Sequence, residues 1–129
     1  MQLLSNVALP VLSTADTVTP AARLPHASSV LVTVTMLGMS QSESLLSVFL
    51  EVSASGAKWG VVASVQGAFV TPGTVVPLSA GAVDPGLVRV RVRIAQGTGN
   101  AVVDAQGTAL DPKDAVFRLA HNNILRAVN

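Results

Sequence analysis

Apolar residues recur at every second position in several stretches of this chain, most regularly in LVRVRVRI at residues 87–94. Side chains two residues apart on a β-strand lie on the same face, so the aliphatic residues of this stretch can line a core. The same alternation places Arg89, Arg91 and Arg93 together on the opposite face. The pattern therefore predicts a strand with one buried side and one charged side.

Other stretches repeat this period of two, and turns containing glycine or proline, such as TPG and DPG, separate them. The predicted strands cover residues 30–37, 45–53, 59–66, 67–71, 74–78, 87–95 and 101–107. Short strands at regular spacing without helical patterns between them are typical of an antiparallel sandwich or barrel. We therefore predict an all-β fold, an antiparallel β-sandwich of jelly-roll or Ig-like type.

The two ends of the chain differ from this middle region. Residues 1–29 contain three prolines and no clean periodicity, which predicts an extended N-terminal arm with one short strand at 6–12. Near the other end, Asp111 is a candidate N-cap, Pro112 suits the first helical position, and apolar residues follow at helical spacing. A last strand, AVFRLA, is the alternative to this short C-terminal helix. The predicted division is an arm over 1–29, a sandwich over 30–110, and a helix or tail over 111–129.

The chain carries unusually little charge for a domain of this size. Charged residues make up 12% of its 129 residues, against about 25% in an average soluble domain. Apolar residues make up 50%, and the formal net charge is +1. A monomer would then expose a surface with little charge to keep it dispersed, which favours coverage by partner chains. A mildly charged monomer is the alternative.

No pattern indicates catalysis or a bound metal. His26 and His121 are the only histidines, neither has a second histidine at ligand spacing, and the chain has no cysteine. The QGTGNAV stretch lacks the third glycine of a dinucleotide-binding loop and suits a hairpin turn. We therefore expect no enzyme activity, no catalytic residue, no cofactor and no metal site. The longest apolar run, at 30–39, is too short to cross a membrane as a helix.

Three interpretations of the aligned arginines remain open. They can lie on a solvated sheet face, paired with Glu51 from another strand, or they can contact carboxylates of a partner protein. Nucleic acid is the least favoured, because no aromatic residue alternates with the arginines and the net charge is nearly zero. Repulsion between neighbouring arginines about 7 Å apart is only about 0.6 kcal/mol in water, so no polyanion is needed to offset it. Trp59 is interpreted as a packing residue, with a ligand-stacking platform as the alternative.

One segment resembles a known group of proteins. The stretch LLSVFLEVSASGAKWGVVASV, followed later by VRVRVRI, resembles small β-sandwich virion structural proteins of tailed bacteriophages, including capsid decoration (cement) proteins. The resemblance covers about residues 45–95, and secreted sugar-binding modules share its hairpin. The usual aspartate of the turn is absent here, where Ser53, Ser55 and Gly56 stand instead.

The resemblance implies a non-enzymatic protein of the virion surface, made in the host cytoplasm, that stabilises a shell by binding the major capsid protein or other virion subunits. Its arm would lie across a neighbouring subunit and be separable from the sandwich, and a homo-oligomer, with a trimer favoured, is expected. A carbohydrate- or receptor-binding module using Trp59 and a head–tail or tail component remain alternatives. The candidate interface residues are Leu3, Leu4, Val7, Leu9, Arg89, Arg91 and Arg93.

Overall fold

A computed structural model describes residues 2–12, 15–41, 43–95 and 100–110 of the chain. All regular secondary structure in these ranges is β-strand. The strands are β1 (Gln2–Leu12), β2 (Thr17–Val18), β3 (Ala22–Leu24), β4 (Ser28–Met39), β5 (Ser44–Ser53), β6 (Gly60–Val70), β7 (Val75–Val83), β8 (Gly86–Ile94) and β9 (Asn100–Leu110). The predicted all-β class is confirmed, whereas the predicted C-terminal helix lies outside the described residues.

The strands form two antiparallel sheets that pack face to face. Sheet A has the order β1-β9-β4-β7, and sheet B has the order β2-β8-β5-β6, with β3 also paired to β8. Between β2 and β3, the backbone N–H of Thr19 donates to the Val90 carbonyl over 2.9 Å. The Thr19 hydroxyl accepts from the Val90 N–H over 3.0 Å. Strands β2 and β3 therefore run along β8 as one interrupted strand.

With β2 and β3 counted together, the sandwich has eight strands in the order of a jelly roll. Each sheet alternates strands from the first and second halves of the chain, as two Greek keys produce. Sheet order thus decides between the two sandwich types that the sequence left open, in favour of the jelly roll.

The core between the sheets follows from the period of two. On β4, Val30, Val32 and Val34 are buried while the residues between them are partly exposed. On β8, the aliphatic residues from Val88 to Ile94 are buried in the same way. Aliphatic, alanine and methionine side chains make up the core cluster of the described residues. Branched side chains suit this arrangement because they pack well on a pleated surface.

The N-terminal part of the chain differs from the predicted arm. Residues 2–12 form β1, which pairs with β9 at the edge of sheet A. The side chain of Val11 is completely buried, and that of the intervening Pro10 is exposed. Proline is tolerated at this position because an edge strand has no neighbour on one side to need its missing N–H. Removing residues 1–25 would take β1, β2 and β3 out of the sandwich, so this segment is not a separable arm in the structure.

The structure has no strand boundary at Gly67, although the sequence predicted one strand ending at residue 66 and another beginning at 67. The segments 59–66 and 67–71 form one strand, β6, which is interrupted only by shifts in its register with β5. Gly67 has a φ of 66°, a backbone conformation that glycine adopts without steric cost. Gly67, where the sequence predicted the start of a separate strand, therefore forms part of a β-bulge.

Gly86 marks a close approach of two backbones at the start of β8. Its φ is 151°, and a Cβ atom placed on it would lie 2.7 Å from the backbone oxygen of Ser53 at the end of β5. Real Cβ atoms do not come this close to a backbone oxygen, so either β5 or β8 would have to move. The junction of the two central strands of sheet B thus requires glycine.

We expect Gly86→Ala to lower the free energy of unfolding by about 2 kcal/mol, from backbone strain and displacement of β8. Urea denaturation followed by circular dichroism measures this loss. Gly81→Ala is the matched control, because its Cβ would meet no heavy atom within 4 Å. Equal stabilities of the two variants would contradict the requirement for glycine at position 86.

Candidate interaction surfaces

The arginine ladder, which we define as Arg89, Arg91 and Arg93, lies on the outer face of sheet B. Its three side chains project away from the core because the aliphatic residues that alternate with them are buried. Register with β5 places Arg89 opposite Glu51 and Arg91 opposite Phe49. The face predicted from the alternation is therefore present, and β5 supplies its neighbours.

Glu51 joins two rungs of the ladder. The Nε atom of Arg89 lies 2.9 Å from its Oε1 atom, and the Nε atom of Arg91 lies 3.1 Å from its Oε2 atom. Glu51 is only 6% exposed, so its charge is largely removed from water. A buried carboxylate is tolerated when hydrogen bonds from opposite charges replace its hydration. The pairing with Glu51, one of the three open interpretations, is therefore present within the chain.

Asp16 joins Arg91 to the third rung, Arg93. One of its oxygens accepts from Arg91 Nη1 over 2.7 Å and from Arg93 Nη2 over 2.9 Å, and the other accepts from Arg93 Nε over 2.7 Å. The hydrogen bond from Arg93 is the main cause that lowers the pKa of Asp16 from 3.8 to about 2. Burial opposes this shift, and Arg91 adds to it. Asp16 thus ties the segment between β1 and β2 to β8.

Two aromatic rings support the guanidinium groups from below. The Cζ atom of Arg89 lies 4.1 Å from the centroid of the Trp59 ring, and that of Arg91 lies 4.1 Å from the centroid of Phe49. Arg93 also contacts Phe49, at 5.5 Å. Cation–π contacts at such distances are attractive, by about 0.5–1 kcal/mol at exposed sites. One face of Trp59 is therefore already occupied by Arg89, which reduces the area available for stacking a ligand.

The ladder neutralises most of its own charge. Three guanidinium groups are held by two carboxylates, which leaves a net charge of +1 on this cluster. Each carboxylate lies between two arginines, so opposite charges alternate along the strand. The arrangement stabilises sheet B and leaves only a weak attraction for an acidic partner.

The outer surface of sheet A has a different character. Its four strands carry one charged residue, Asp104. Four large apolar side chains on it are between 41% and 52% exposed, namely Leu12, Leu37, Val75 and Val102. We call this surface the apolar face. Soluble monomers rarely expose a contiguous apolar patch without a binding function.

Three of these four side chains, Leu12, Leu37 and Val102, lie close together at one end of sheet A. Val102 pairs with Pro10 on one side and with Gly38 on the other, next to the rungs that carry Leu12 and Leu37. A groove of about 380 Å³ opens at this end of the sheet, lined in part by Pro10, Gly38 and Val102. A Cβ atom at Gly38 would meet nothing within 4 Å, so the glycine leaves the surface open. The patch and groove form one continuous candidate docking surface.

The predicted N-terminal anchors lie on β1. The Leu9 side chain is 7% exposed and belongs to the core, and Leu3 is half-buried and packs against the core. Leu4 and Val7 pair with β9 through their backbones, and their side chains are outside the described part of the structure. Leu9 thus fills the sandwich interior, and a contact of Leu3, Leu4, Val7 or the ladder with another chain stays a prediction.

Sequence reasoning missed Asp16 and the apolar face. Asp16 precedes the ladder by more than 70 residues and lies in the segment predicted to be a flexible arm, so no local signal links it to Arg93. In the sequence, the exposed positions of β4 and β9 look like the outward side of any alternating strand. The alternation does not show which of its two faces is covered by the rest of the protein. The one signal for the apolar face in the sequence was that all four strands of sheet A contain few charged residues.

The described residues contain no group of three or more His, Asp or Glu side chains able to hold a metal ion. His26 is exposed, and His121 lies outside the described residues. No helix in the described ranges is long and apolar enough to span a membrane.

Known structures share the sandwich fold. A protein named PirA matches with a TM-score of 0.52 and 17% identity, over 80% of this chain and 93% of that one. A Yersinia pseudotuberculosis-derived mitogen matches with a TM-score of 0.52 and 8% identity, over 86% and 89% of the two chains. The CBM22-1–GH10 modules of Clostridium thermocellum xylanase 10B, solved with xylohexaose, match with a TM-score of 0.50 and 9% identity, over 84% of this chain and 28% of that one.

At these identities the similarity shows the fold alone. No family of known proteins matches the sequence, and a search among curated proteins finds no relative. None of the three structures is a tailed-phage decoration protein, so the resemblance is supported only for the β-sandwich fold.

We expect Glu51→Gln to lower the free energy of unfolding by about 2 kcal/mol, because two arginines lose the carboxylate that they share. Urea denaturation at neutral pH measures the change. Asp84→Asn removes an exposed carboxylate outside the ladder and is expected to change stability by less than about 0.5 kcal/mol. A Glu51→Gln protein as stable as the wild type would show that the buried pairs contribute nothing.

The pKa of Asp16 predicts how stability depends on pH. Because the folded value of about 2 lies below the ordinary 3.8, the stabilisation is fully present above pH 4 and is lost as the pH falls through 2. We expect the wild type to be more stable than Asp16→Asn by about 1 kcal/mol near neutral pH, since solvent screens this half-exposed carboxylate. Urea unfolding of both proteins between pH 7 and pH 2 measures the gap. A gap that stays constant over this range would contradict the assignment.

Proposed function

We propose that this chain is a non-enzymatic structural protein that attaches to other protein subunits through its apolar face. In the specific form that we favour, it is a capsid decoration protein on the surface of a tailed-phage virion, where it binds and stabilises the shell of the major capsid protein. The resemblance of residues 45–95 to such proteins supports the specific form. A head–tail or tail component would use the same surface in a different place on the particle.

One observation carries the proposal: the apolar face combines exposed aliphatic side chains with almost no charge. The centres of protein interfaces are depleted of charged residues, because each buried charge must be desolvated. Burying apolar surface contributes about 25 cal/mol per Å², and Leu12, Leu37, Val75 and Val102 all retain area to bury. The groove beside Val102 suits an apolar side chain of the partner, the usual form of an interface hot spot.

The arginine ladder has a supporting part in this proposal. Its carboxylates and rings hold the guanidinium groups in place, so the ladder stiffens sheet B behind the docking surface. A partner carboxylate can still reach the exposed edge of Arg93, which is 52% exposed. Such a contact at the rim would affect the rate and specificity of docking more than the affinity.

A carbohydrate- or receptor-binding module is the alternative function. It would use Trp59 as a stacking platform, but Arg89 covers one face of that ring. Sugar stacking needs an open aromatic face, and the most exposed ring of the described residues, Phe69 at 62%, belongs to another part of the sheet. The geometry therefore supports this alternative less well than attachment to protein.

We expect Val102→Asp to abolish attachment to capsid shells of the phage that encodes the chain, because it places a charge at the centre of the apolar face. Co-sedimentation of purified protein with empty shells measures attachment. Ala57→Asp, at an exposed position between β5 and β6, is the matched control and should still sediment with the shells. Thermal unfolding of both variants checks that the fold is retained.

Two outcomes would contradict the proposal, and they are distinguishable. Wild-type protein that stays in the supernatant at all concentrations would argue against a decoration function. If Val102→Asp sediments as well as the wild type, the decoration function still stands, but the apolar face is not the surface that binds the shell.

A further inference from the structure

In the described residues the sandwich has four sheet edges, and three of them contain prolines or consist of short strands. In sheet A, β1 contains Pro10 and β7 contains Pro77. In sheet B, β2 and β3 have two and three residues and are separated by a segment with Pro20. Prolines and short strands are devices by which natural proteins prevent an edge from pairing with another chain.

The fourth edge, β6, has neither a proline nor a charged residue along its 11 residues. Pairing within the chain is described for one side of it only, with β5. Its exposed large side chains are Val61, Val62 and Phe69, at 49%, 44% and 62%. Phe69 lies opposite Leu45 of β5, itself 48% exposed, so an apolar strip continues from the edge onto the outer face of sheet B. This edge is a suitable template for an added strand.

We infer that β6 pairs in antiparallel orientation with β6 of a second copy of this chain, joining two B sheets into one. The inference rests on the proposed structural function, of which it names one interface. A two-fold pairing centred on Val65 places Val61 of one copy opposite Phe69 of the other, at both ends of the joined strands. Aromatic and β-branched residues are favourable partners across strands.

The strand's own charge favours a second copy as the occupant. Two identical strands that meet about a two-fold axis bring equal charges near each other, which costs energy whenever the strand is charged. Strand β6 carries no charge and has apolar residues near both ends, so it is complementary to itself. The ladder on the neighbouring β8 is already held by Glu51 and Asp16 and does not have to be neutralised by the second copy.

The bulges of β6 limit the registers in which it can pair, and the two-fold contact closes a dimer. Register shifts against β5 occur between Leu46 and Val48 and again between Leu50 and Glu51. The N–H of Gly67 already donates to the Ser47 hydroxyl over 3.1 Å, so the strand is not regular throughout. Bulges limit the number of workable registers, and a two-fold contact uses the same edge of both copies. The sequence had favoured a trimer, whereas this contact gives a dimer.

The test uses the full-length protein and measures its mass by light scattering. We expect the wild type to have twice the 13.1 kDa mass of the chain, and salt to have little effect because β6 is uncharged. Val61→Lys and Phe69→Glu should each weaken the dimer about tenfold or more, because each places a charge opposite an apolar residue. Val18→Glu, at an exposed position on β2 at the opposite edge of sheet B, is the control and should leave the mass unchanged.

Mixing the two variants tests the register. In a mixed dimer, Lys at 61 faces Glu at 69 and the remaining Val61 faces Phe69, so the mixture should dimerise where each variant alone does not. Wild-type protein that is monomeric at all concentrations, or a dimer unaffected by both variants, would overturn the inference. If the protein dimerises but does not bind shells, the β6 contact stands and the proposed function is refuted instead.

Discussion

Two carboxylates shared among three arginines are the interaction on which the surface of this protein depends. Glu51 and Asp16 each accept hydrogen bonds from two neighbouring guanidinium groups, so the largest cluster of charge in the described residues is satisfied inside one chain. Without them, three like charges along β8 would stand on an otherwise apolar sheet. Their pairing ties together β5, β8 and the segment before β2, which are remote in sequence.

Because the chain has few charged residues and uses five of them in this cluster, little charge is left for the rest of its surface. The two sheets are therefore unlike. Both sheets expose large apolar side chains, but sheet B also holds the ion pairs and arginine–aromatic contacts, whereas the strands of sheet A carry one charged residue and border a groove. A protein built in this way is poorly suited to steering a charged ligand and well suited to lying against another protein.

The period of two in the sequence was sufficient to predict the all-β sandwich and the direction of every side chain on β8. Pairing of the ladder with Glu51 from another strand was one of the three interpretations left open by the sequence, and the structure contains this pairing. The period of two was not sufficient for the full extent of β1, because three prolines and the lack of periodicity in residues 1–29 suggested an arm with one short strand at 6–12. A proline excludes a central strand but not an edge strand, and sequence alone does not show which strands lie at edges.

The remaining differences have similar causes. A strand boundary was predicted at Gly67, because glycine occurs both between strands and in bulges, and only pairing with β5 distinguishes them. Asp16 could not be connected to Arg93 before the fold placed β2 beside β8. The choice between jelly roll and Ig-like sandwich depended on sheet order, which local patterns do not encode.

Electron cryomicroscopy of the assembled particle tests the central claim most directly, because it shows which face of the sandwich contacts the shell. The account predicts density for the jelly roll on the capsid surface, with Leu12, Leu37 and Val102 of sheet A buried against a neighbouring subunit. Density in which sheet A faces solvent and the arginine ladder faces the shell would contradict it, as would mature particles that lack the protein.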